Sequence, residues 1–175
     1  YIIISNEGQS GLHKAINLGT RAVETEYVVM HDDDDTWDNK FLEKTVGYLE
    51  VKANCMGVIT HSNKIYEKVV NNIIKIQKIK PFNTDLKDVI SLYDMIKNNL
   101  FSPISFVYRA KVYKEIGYFD EDLEVLEDWE FNVRFLMKYD IEVIEEILAN
   151  YHIRKDNNIH EVFKNTVTSK RKLHL

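Results

Sequence analysis

The residues of this sequence most able to do chemistry are the four consecutive carboxylates Asp32-Asp33-Asp34-Asp35. They follow Tyr27-Val28-Val29-Met30, an apolar run that predicts a buried strand. Like charges side by side repel one another, so a cation is expected among them. Hard divalent cations such as Mg²⁺ and Mn²⁺ bind carboxylate oxygens and often bridge to phosphates. Ligands also bind at the carboxyl ends of strands in open α/β sheets, so the cluster predicts a metal-assisted site for a phosphate-bearing substrate.

A second acidic group, Glu127-Asp128, lies directly before an amphipathic helix. Taken alone it indicates only a helix start, because carboxylates are favourable at that terminus. Together the two groups supply the parts for displacement at a phosphate-activated carbon. One group holds a metal that stabilises the leaving diphosphate, and the other takes the proton of the nucleophile.

The acidic cluster has other interpretations: a solvated turn, a calcium loop and a phosphatase motif. Asp32, Asp34, Thr36 and Glu43 have the spacing of EF-hand ligands, but Trp37 stands where that loop requires glycine. The calcium loop is therefore excluded. The pattern Asp32-x-Asp34-x-Thr36 after an apolar strand resembles the nucleophile motif of haloacid-dehalogenase-like phosphatases, over those five positions. In that family one Asp attacks a phosphoryl group and the next acts as acid and base.

The elements expected to position the first cluster form a βαβ unit with a parallel strand pair: strand Tyr1–Ile4, a helix from Gly11 to about Val23, and strand Tyr27–His31. The sequence opens inside a strand, so we expect it to be the later part of a longer domain. Gly8-x-x-Gly11 before the helix can present backbone N–H groups to a phosphate, but it favours a plain helix entry.

The rest of the chain alternates further helices and strands. The predicted elements are a helix to about Glu50, a strand Met56–His61, a hairpin over 63–80 around Asn71-Asn72, a helix Asp85–Asn99, a strand Ile104–Arg109, a short helix Ala110–Ile116, a helix to about Lys138, and strands Ile141–Ile144 and Ile147–His152. From Arg154 the sequence is polar and basic, which predicts a peripheral tail.

Composition limits the class of protein. A chain of 175 residues fits one domain, and a net charge of −5 argues against a general binder of nucleic acid or membrane surfaces. Cys55 is the single cysteine, so no internal disulfide is expected. No apolar run reaches the roughly 18 residues of a membrane span. These features predict a cytoplasmic protein, able to work at the inner membrane face if its acceptor is lipid-linked.

Three stretches resemble family 2 glycosyltransferases of the GT-A fold. Gly11–Gly19 resembles the small-residue helix that carries a basic residue and an Asn, here Lys14 and Asn17. Asp32–Trp37 resembles the DxD metal motif with its trailing Trp. Arg109, Gly117–Glu121, Leu126–Glu130 and Arg134 resemble the block that holds the catalytic base. The match spans residues 1–155, the predicted catalytic domain, and leaves 156–175 as the tail.

The resemblance implies an α/β fold: a Rossmann-like three-layer α/β/α arrangement with a mainly parallel central sheet that here lacks its first strand or strands. It implies inverting transfer of a sugar from a nucleotide-diphosphate donor, with a UDP-sugar favoured. The acceptor would be a hydroxyl of a saccharide or a lipid-linked molecule, in polysaccharide or glycoconjugate synthesis. A catalytically inactive sugar-nucleotide-binding domain is the non-enzymatic alternative.

The resemblance also implies roles for individual residues. Asp34, with Asp32, would coordinate Mn²⁺ or Mg²⁺, and Asp128 would be the general base with Glu127 beside it. The residues expected at the nucleotide-sugar are Lys14, Asn17, Asp32, Asp33 and Trp37. For the metal-binding His of some relatives the candidates are His152 and His160, although a plain strand-end His is favoured for both.

Overall fold

The computed structural model describes residues 11–123 and 125–154, which form a mixed α/β structure. The helices are α1 Gly11–Arg21, α2 Phe41–Val51, α3 Leu92–Lys97, α4 Tyr113–Ile116 and α5 Glu127–Leu136. The strands are β1 Tyr27–Val29, β2 Thr36–Trp37, β3 Gly57–Val70, β4 Ile73–Phe82, β5 Phe106–Arg109 and β6 Ile141–Arg154. Short 3₁₀ turns precede and follow β5. No helix in these ranges is long and apolar enough to cross a membrane.

The six strands form one sheet in the order β1-β5-β3-β6-β2, with β4 paired to β3. β3 and β6 are parallel, and the other described pairs are antiparallel. The α/β class is confirmed, but the sheet of the described residues is mixed rather than mainly parallel. The tight connection from β3 to β4 enforces an antiparallel pair, and β1 pairs antiparallel with β5. The expected parallel partner of β1, Tyr1–Ile4, lies outside the described residues.

The sheet carries a hydrophobic core on each face. Consecutive residues of β3 point to opposite faces, so Val58 packs with Phe41 and Leu49 of α2, and Ile59 packs with the aromatic residues of α5. This arrangement agrees with the predicted three layers. Gly57 begins β3 beneath two rings: a Cβ there would lie 2.7 Å from Phe106 and 2.8 Å from Phe135.

The hairpin predicted over 63–80 is confirmed, with longer strands. Asn71 and Asn72 form its turn with φ of 52° and 59°, the left-handed conformation that two-residue hairpin turns favour. The helix predicted over 85–99 begins only at Leu92, after the N-cap Ser91. Upstream, Ile90 donates a backbone hydrogen bond to Ile141 of β6, so this stretch lies along the sheet instead of coiling.

The two strands predicted between 141 and 152 are a single strand, β6. Register shifts between Thr60 and Ser62 of β3 accommodate the irregularity that separates the two apolar runs.

Candidate active site

The acidic cluster forms a tight turn between β1 and β2. The N–H of Asp35 donates to the carbonyl of Asp32 at 3.2 Å, and Thr36 then pairs with Asn150 of β6. Asp35 itself is 4% exposed, and its carboxylate accepts the N–H of His152 at 2.8 Å. Asp35 therefore ties the turn to β6, whereas Asp32 and Asp33 are exposed and Asp34 is half-buried.

Burial and neighbouring charges raise the pKa of two of these carboxyl groups. Burial raises the pKa of Asp35 to about 6, against the opposing hydrogen bond from His152. The pKa of Asp32 is raised first by burial, then by the negative charges of Asp34, Asp33 and, from a distant part of the sequence, Asp128. The turn thus concentrates negative charge that is incompletely solvated, which favours a cationic partner.

Arg154 is a cation of this site. Its guanidinium donates to Asp34 at 2.8 Å and to Glu67 of β3 at 2.8 Å. Arg154 is 9% exposed, so the prediction that the chain becomes peripheral from this residue is wrong for Arg154. The acidic cluster predicted a divalent cation here, and nothing in the local sequence indicated an arginine that lies so far away along the chain.

His152 completes the polar network around the turn. Its Nδ1 lies 2.7 Å from a Glu67 oxygen and its Nε2 lies 3.0 Å from Thr36 Oγ1. Both ring nitrogens therefore contact protein groups, in agreement with the preference for a strand-end His over a metal ligand. His160 lies outside the described residues.

The carboxylates fit a metal that arrives with its phosphate ligands rather than a preformed metal cage. Among residues 11–123 and 125–154, no group of three His, Cys, Asp or Glu side chains is arranged to hold a metal ion. Asp32 and Asp34, the predicted ligands, can supply one or two carboxylates. That is the usual protein contribution to Mg²⁺ when substrate phosphates and water complete the coordination.

Asp128 lies in the first turn of α5. Burial is the largest cause of the raised pKa of both Asp32 and Tyr151, and the negative charge of Asp128 is a minor cause of both shifts. Asp128 Oδ2 accepts a hydrogen bond from Asn99 Nδ2 at 2.7 Å. The two acidic motifs are therefore electrostatically coupled. Glu127 is half-buried in the same helical turn.

Asn99 is a site residue that the sequence analysis did not identify. It lies just after α3, and its Oδ1 is buried without a hydrogen-bond partner in the described part of the chain. The neighbouring Trp129 donates its indole N–H to the Met95 carbonyl at 2.5 Å, which fastens α5 to α3. The α3–α5 contact thereby fixes where Asp128 stands.

Trp37 has a supporting role. Its indole N–H donates to the Ile104 carbonyl at 2.8 Å, and its ring stacks on Phe41 with centroids 4.6 Å apart. His31 packs edge-on against Trp37 and its Nδ1 lies 2.6 Å from the Asp32 carbonyl. The Trp37 N–H and one face of its ring thus contact other protein groups, and through these contacts the tryptophan supports the acidic turn.

The assignment of Asn17 to the nucleotide-sugar stays a prediction, and in this structure its amide is hydrogen-bonded within the protein. Asn17 is 1% exposed, and its amide donates to the Phe119 carbonyl at 2.8 Å and to Glu121 at 2.9 Å. The Phe119 N–H in turn donates to Asn17 Oδ1 at 3.0 Å. Asn17 joins α1 to the loop before α5. Lys14, by contrast, is exposed near the start of α1.

The two arginines of the base-holding block are also structural. Arg109 is buried and donates to the carbonyls of Cys55 at 3.0 Å and Leu49 at 2.6 Å. Arg134 donates to the Tyr118 carbonyl at 2.9 Å and pairs with Glu130. Arg134 therefore holds the loop that Asn17 also anchors, and this loop leads into α5.

The fold is of the α/β class, with a carboxylate-rich turn at the carboxyl end of β1 and a second acidic group at the start of α5. Residues 1–117 match the sequence profile of Glycosyl transferase family 2. The chain belongs to this family, as its motifs predicted.

Relatives and solved structures agree with this assignment. The chain is 28% identical over 170 residues to the uncharacterized glycosyltransferase MJ1057 of Methanocaldococcus jannaschii, covering 96% of this chain and 56% of the relative. It is 26% identical over 137 residues to the uncharacterized glycosyltransferase YwdF of Bacillus subtilis, covering 78% of this chain and 48% of the relative. The chain thus spans about half the length of these relatives.

Among solved structures, residues 1–349 of S. aureus TarS in complex with UDP-GlcNAc superimpose with a TM-score of 0.60 at 19% identity. The match covers 84% of this chain and 40% of that one. A second crystal structure of TarS residues 1–349 gives a TM-score of 0.57 at 20% identity, and that match covers 84% of this chain and 42% of the TarS chain. At this identity the similarity establishes the fold, and it confirms the GT-A class.

Proposed function

We propose that this chain carries the catalytic site of a nucleotide-sugar glycosyltransferase. The observation that carries the proposal is the acidic turn at the end of β1, with Asp32 and Asp33 exposed, in a chain that belongs to this family. After burial and the charges of Asp34 and Asp33, the negative charge of Asp128 also helps to raise the pKa of Asp32, which supports Asp128 as the candidate base. Family membership supplies the reaction class. The solved complex of TarS with UDP-GlcNAc supports a UDP-sugar as the donor to test first.

On the donor side, Asp34 and Asp32 would hold Mn²⁺ or Mg²⁺. When bound, the metal offsets the charge that develops on the leaving diphosphate. Asp33, exposed on the same turn, faces the solvent from which the donor enters. Arg154 holds Asp34 through an ion pair before the donor arrives.

On the acceptor side, Asp128 would take the proton of the attacking hydroxyl. The Asn99 hydrogen bond occupies Oδ2 and leaves Oδ1 for that proton. A base and a leaving group held by different elements suit direct displacement, which inverts the configuration at the sugar carbon. A saccharide or lipid-linked acceptor, a role in polysaccharide or glycoconjugate synthesis, and a cytoplasmic location at the inner membrane face belong to the same proposal and rest on the family resemblance.

The donor half is tested by calorimetric titration of the complete protein with UDP and Mn²⁺, separately and together. We expect each ligand to strengthen binding of the other. Asp34→Ala should remove this coupling, whereas Asp38→Asn, an exposed carboxylate in the next loop, should keep it. Coupling that survives Asp34→Ala would overturn the metal assignment.

The acceptor half is tested with Asp128→Asn. The variant should bind UDP and Mn²⁺ as the wild type does but lose sugar transfer. The matched control is Asp94→Asn, an exposed carboxylate in the first turn of α3. Full transfer by Asp128→Asn would exclude Asp128 as the base. Hydrolysis of simple phosphomonoesters with Mg²⁺, without transfer, would instead support the phosphatase interpretation of Asp32 and Asp34.

A further inference from the structure

The β3–β4 hairpin presents a long, uncovered sheet edge. β4 pairs with β3 alone among the described strands, and every residue from Asn71 to Pro81 is exposed. Such edges invite pairing with other strands unless charge or shape prevents it. The side chains of this hairpin therefore decide what can approach it.

The register of the hairpin places lysines on one face. The cross-strand pairs are Lys68 with Lys75, Tyr66 with Lys78, and Lys64 with Lys80. Directly paired residues point to the same side, and alternate residues of one strand share a side. These rules define the Lys face, which contains Lys64, Lys68, Lys75, Lys78 and Lys80. Tyr66 lies among them on the same face, and Val70 and Ile73 lie on it beside the turn.

The other side of the hairpin is mainly apolar, with Glu67 as its charged residue. Glu67 pairs with Ile76 while Tyr66 pairs with Lys78, so Gln77 is an extra residue at a β-bulge. The bulge restores the alternation that the sequence lacks between Ile76 and Ile79. The Ile face consists of Val69, Ile74, Ile76 and Ile79.

The Lys face concentrates positive charge. No carboxylate lies on it. Lys68, Lys75, Lys78 and Lys80 form no ion pair with the residues that the structure describes. Paired lysines repel one another, so the face stabilises the protein less than a mixed surface would. It favours a partner with many negative charges, although the whole chain has a net charge of −5.

The exposed isoleucines limit which kind of anionic partner fits this hairpin. Ile74, Ile76 and Ile79 are 42%, 57% and 52% exposed, and Ile73 beside the turn is 59% exposed. A dissolved polyanion would neutralise the lysines and leave these side chains in water. A bilayer offers phosphates at its surface and an apolar layer beneath them, and basic, apolar elements lie in that interface.

We propose that the β3–β4 hairpin docks this protein on a membrane that contains anionic phospholipid. The lysines contact lipid phosphates, and the isoleucines around the turn enter the boundary between headgroups and acyl chains. A second copy of the chain is a poorer occupant, because its own lysines would face these lysines and Pro81 lacks a backbone N–H for edge pairing. The proposal deepens the membrane location given under the proposed function, and vesicle binding tests it separately from sugar transfer.

Docking of this hairpin also determines where the acidic site lies. Glu67 pairs with Ile76 on the Ile face, and its carboxylate accepts a hydrogen bond from the Arg154 guanidinium. The same guanidinium donates a hydrogen bond to the Asp34 carboxylate. Two side-chain contacts thus connect the Ile face to the carboxylate turn. The candidate active site would be held at the membrane surface.

The test is flotation of the complete protein with vesicles of phosphatidylcholine alone and of phosphatidylcholine with about one-third phosphatidylglycerol. We expect binding to the anionic vesicles only, and weaker binding in high salt, which screens exposed charges. The triple variant Lys75→Gln/Lys78→Gln/Lys80→Gln should bind roughly 100-fold more weakly, at about 1 kcal/mol for each lysine at the surface. The matched control Lys40→Gln/Lys87→Gln/Lys114→Gln removes the same charge from scattered exposed positions and should bind like the wild type.

A second variant tests the apolar contribution. Ile74→Ser/Ile76→Ser keeps every lysine and should also weaken vesicle binding, while circular dichroism stays unchanged because both side chains are exposed. Absence of vesicle binding, equal loss in both triple variants, or binding that persists in the hairpin triple variant would overturn the proposal. So would binding that ignores the isoleucines and is matched by soluble polyphosphate, since that result would identify a dissolved polyanion as the partner.

Discussion

Replacement of Asn17 by alanine distinguishes a structural residue from a ligand-binding one. The change removes three hydrogen bonds and leaves the N–H and carbonyl of Phe119 without their partner in a buried place. Burying an unsatisfied polar group costs about 1–3 kcal/mol, and these two groups belong to one residue that can relax. The bond to Glu121 is partly exposed and adds little. We therefore expect Asn17→Ala to lower the free energy of unfolding by about 2–4 kcal/mol.

The assay is urea unfolding followed by circular dichroism, with a thermal scan beside it. For a chain of this size the loss corresponds to a melting temperature lower by roughly 5–15 °C. Asn54→Ala and Asn98→Ala change exposed asparagines and serve as controls that should stay within about 0.5 kcal/mol of the wild type. A variant as stable as the wild type that has lost affinity for UDP-sugar would refute this reasoning and restore Asn17 to the nucleotide-sugar site.

Three further perturbations examine the scaffold and the site. Gly57→Ala should lower the free energy of unfolding, measured by urea titration, by about 1–3 kcal/mol, because the new methyl group would overlap two phenylalanine rings. Gly47→Ala is the control and should not lower it, because nothing lies within 4 Å of that position. Burial raises the pKa of Asp35 above its value in the unfolded chain, so this group stabilises the fold below about pH 4 and that contribution is lost as pH rises through about 6. The stability of the wild type relative to Asp35→Asn should accordingly fall between pH 4 and 6, and parallel pH curves would contradict the assignment. Arg154→Gln leaves two carboxylates without their cation and should lower the free energy of unfolding by about 3 kcal/mol. Arg154→Lys should recover part of this loss. An unchanged free energy of unfolding in Arg154→Gln would show that the pairing does not stabilise the fold.

Local patterns in the sequence predicted the elements that local interactions determine. The helical spacing of α1, the Asn71-Asn72 turn and the acidic turn after β1 each appear where they were expected. The pairing of the two acidic motifs in one site stays a prediction from their chemistry. The contact of α5 with α3, which positions Asp128, has no periodic signal in the sequence.

Contacts between distant parts of the chain could not be predicted in this way. Arg154 looks like the start of a basic tail until β6 is seen to end beside Asp34. Asn17 did carry a signal, since it lies between apolar residues on the inward face of a helix, where a polar group must find partners. The antiparallel pairing of β1 with β5 has no such marker.

Net charge does not describe how charge is distributed over the surface, for a related reason. A sum over the chain averages the acidic turn with the lysines of the hairpin, although the fold places them on different elements. Local charge depends on register, and register depends on turns and bulges that composition does not record.

The bulge at Gln77 has a genetic consequence. Deleting that one residue would make Ile76 and Lys78 consecutive, and they would still pair with Glu67 and Tyr66. The lysines and the isoleucines would therefore keep their sides, and only the local bend and twist of the bulge would be lost. If a neighbouring residue such as Lys78 were deleted instead, Gln77 could take its place in the pairing. The bulge thus gives this segment a spare residue, so that the loss of one residue here need not exchange the two faces of the hairpin.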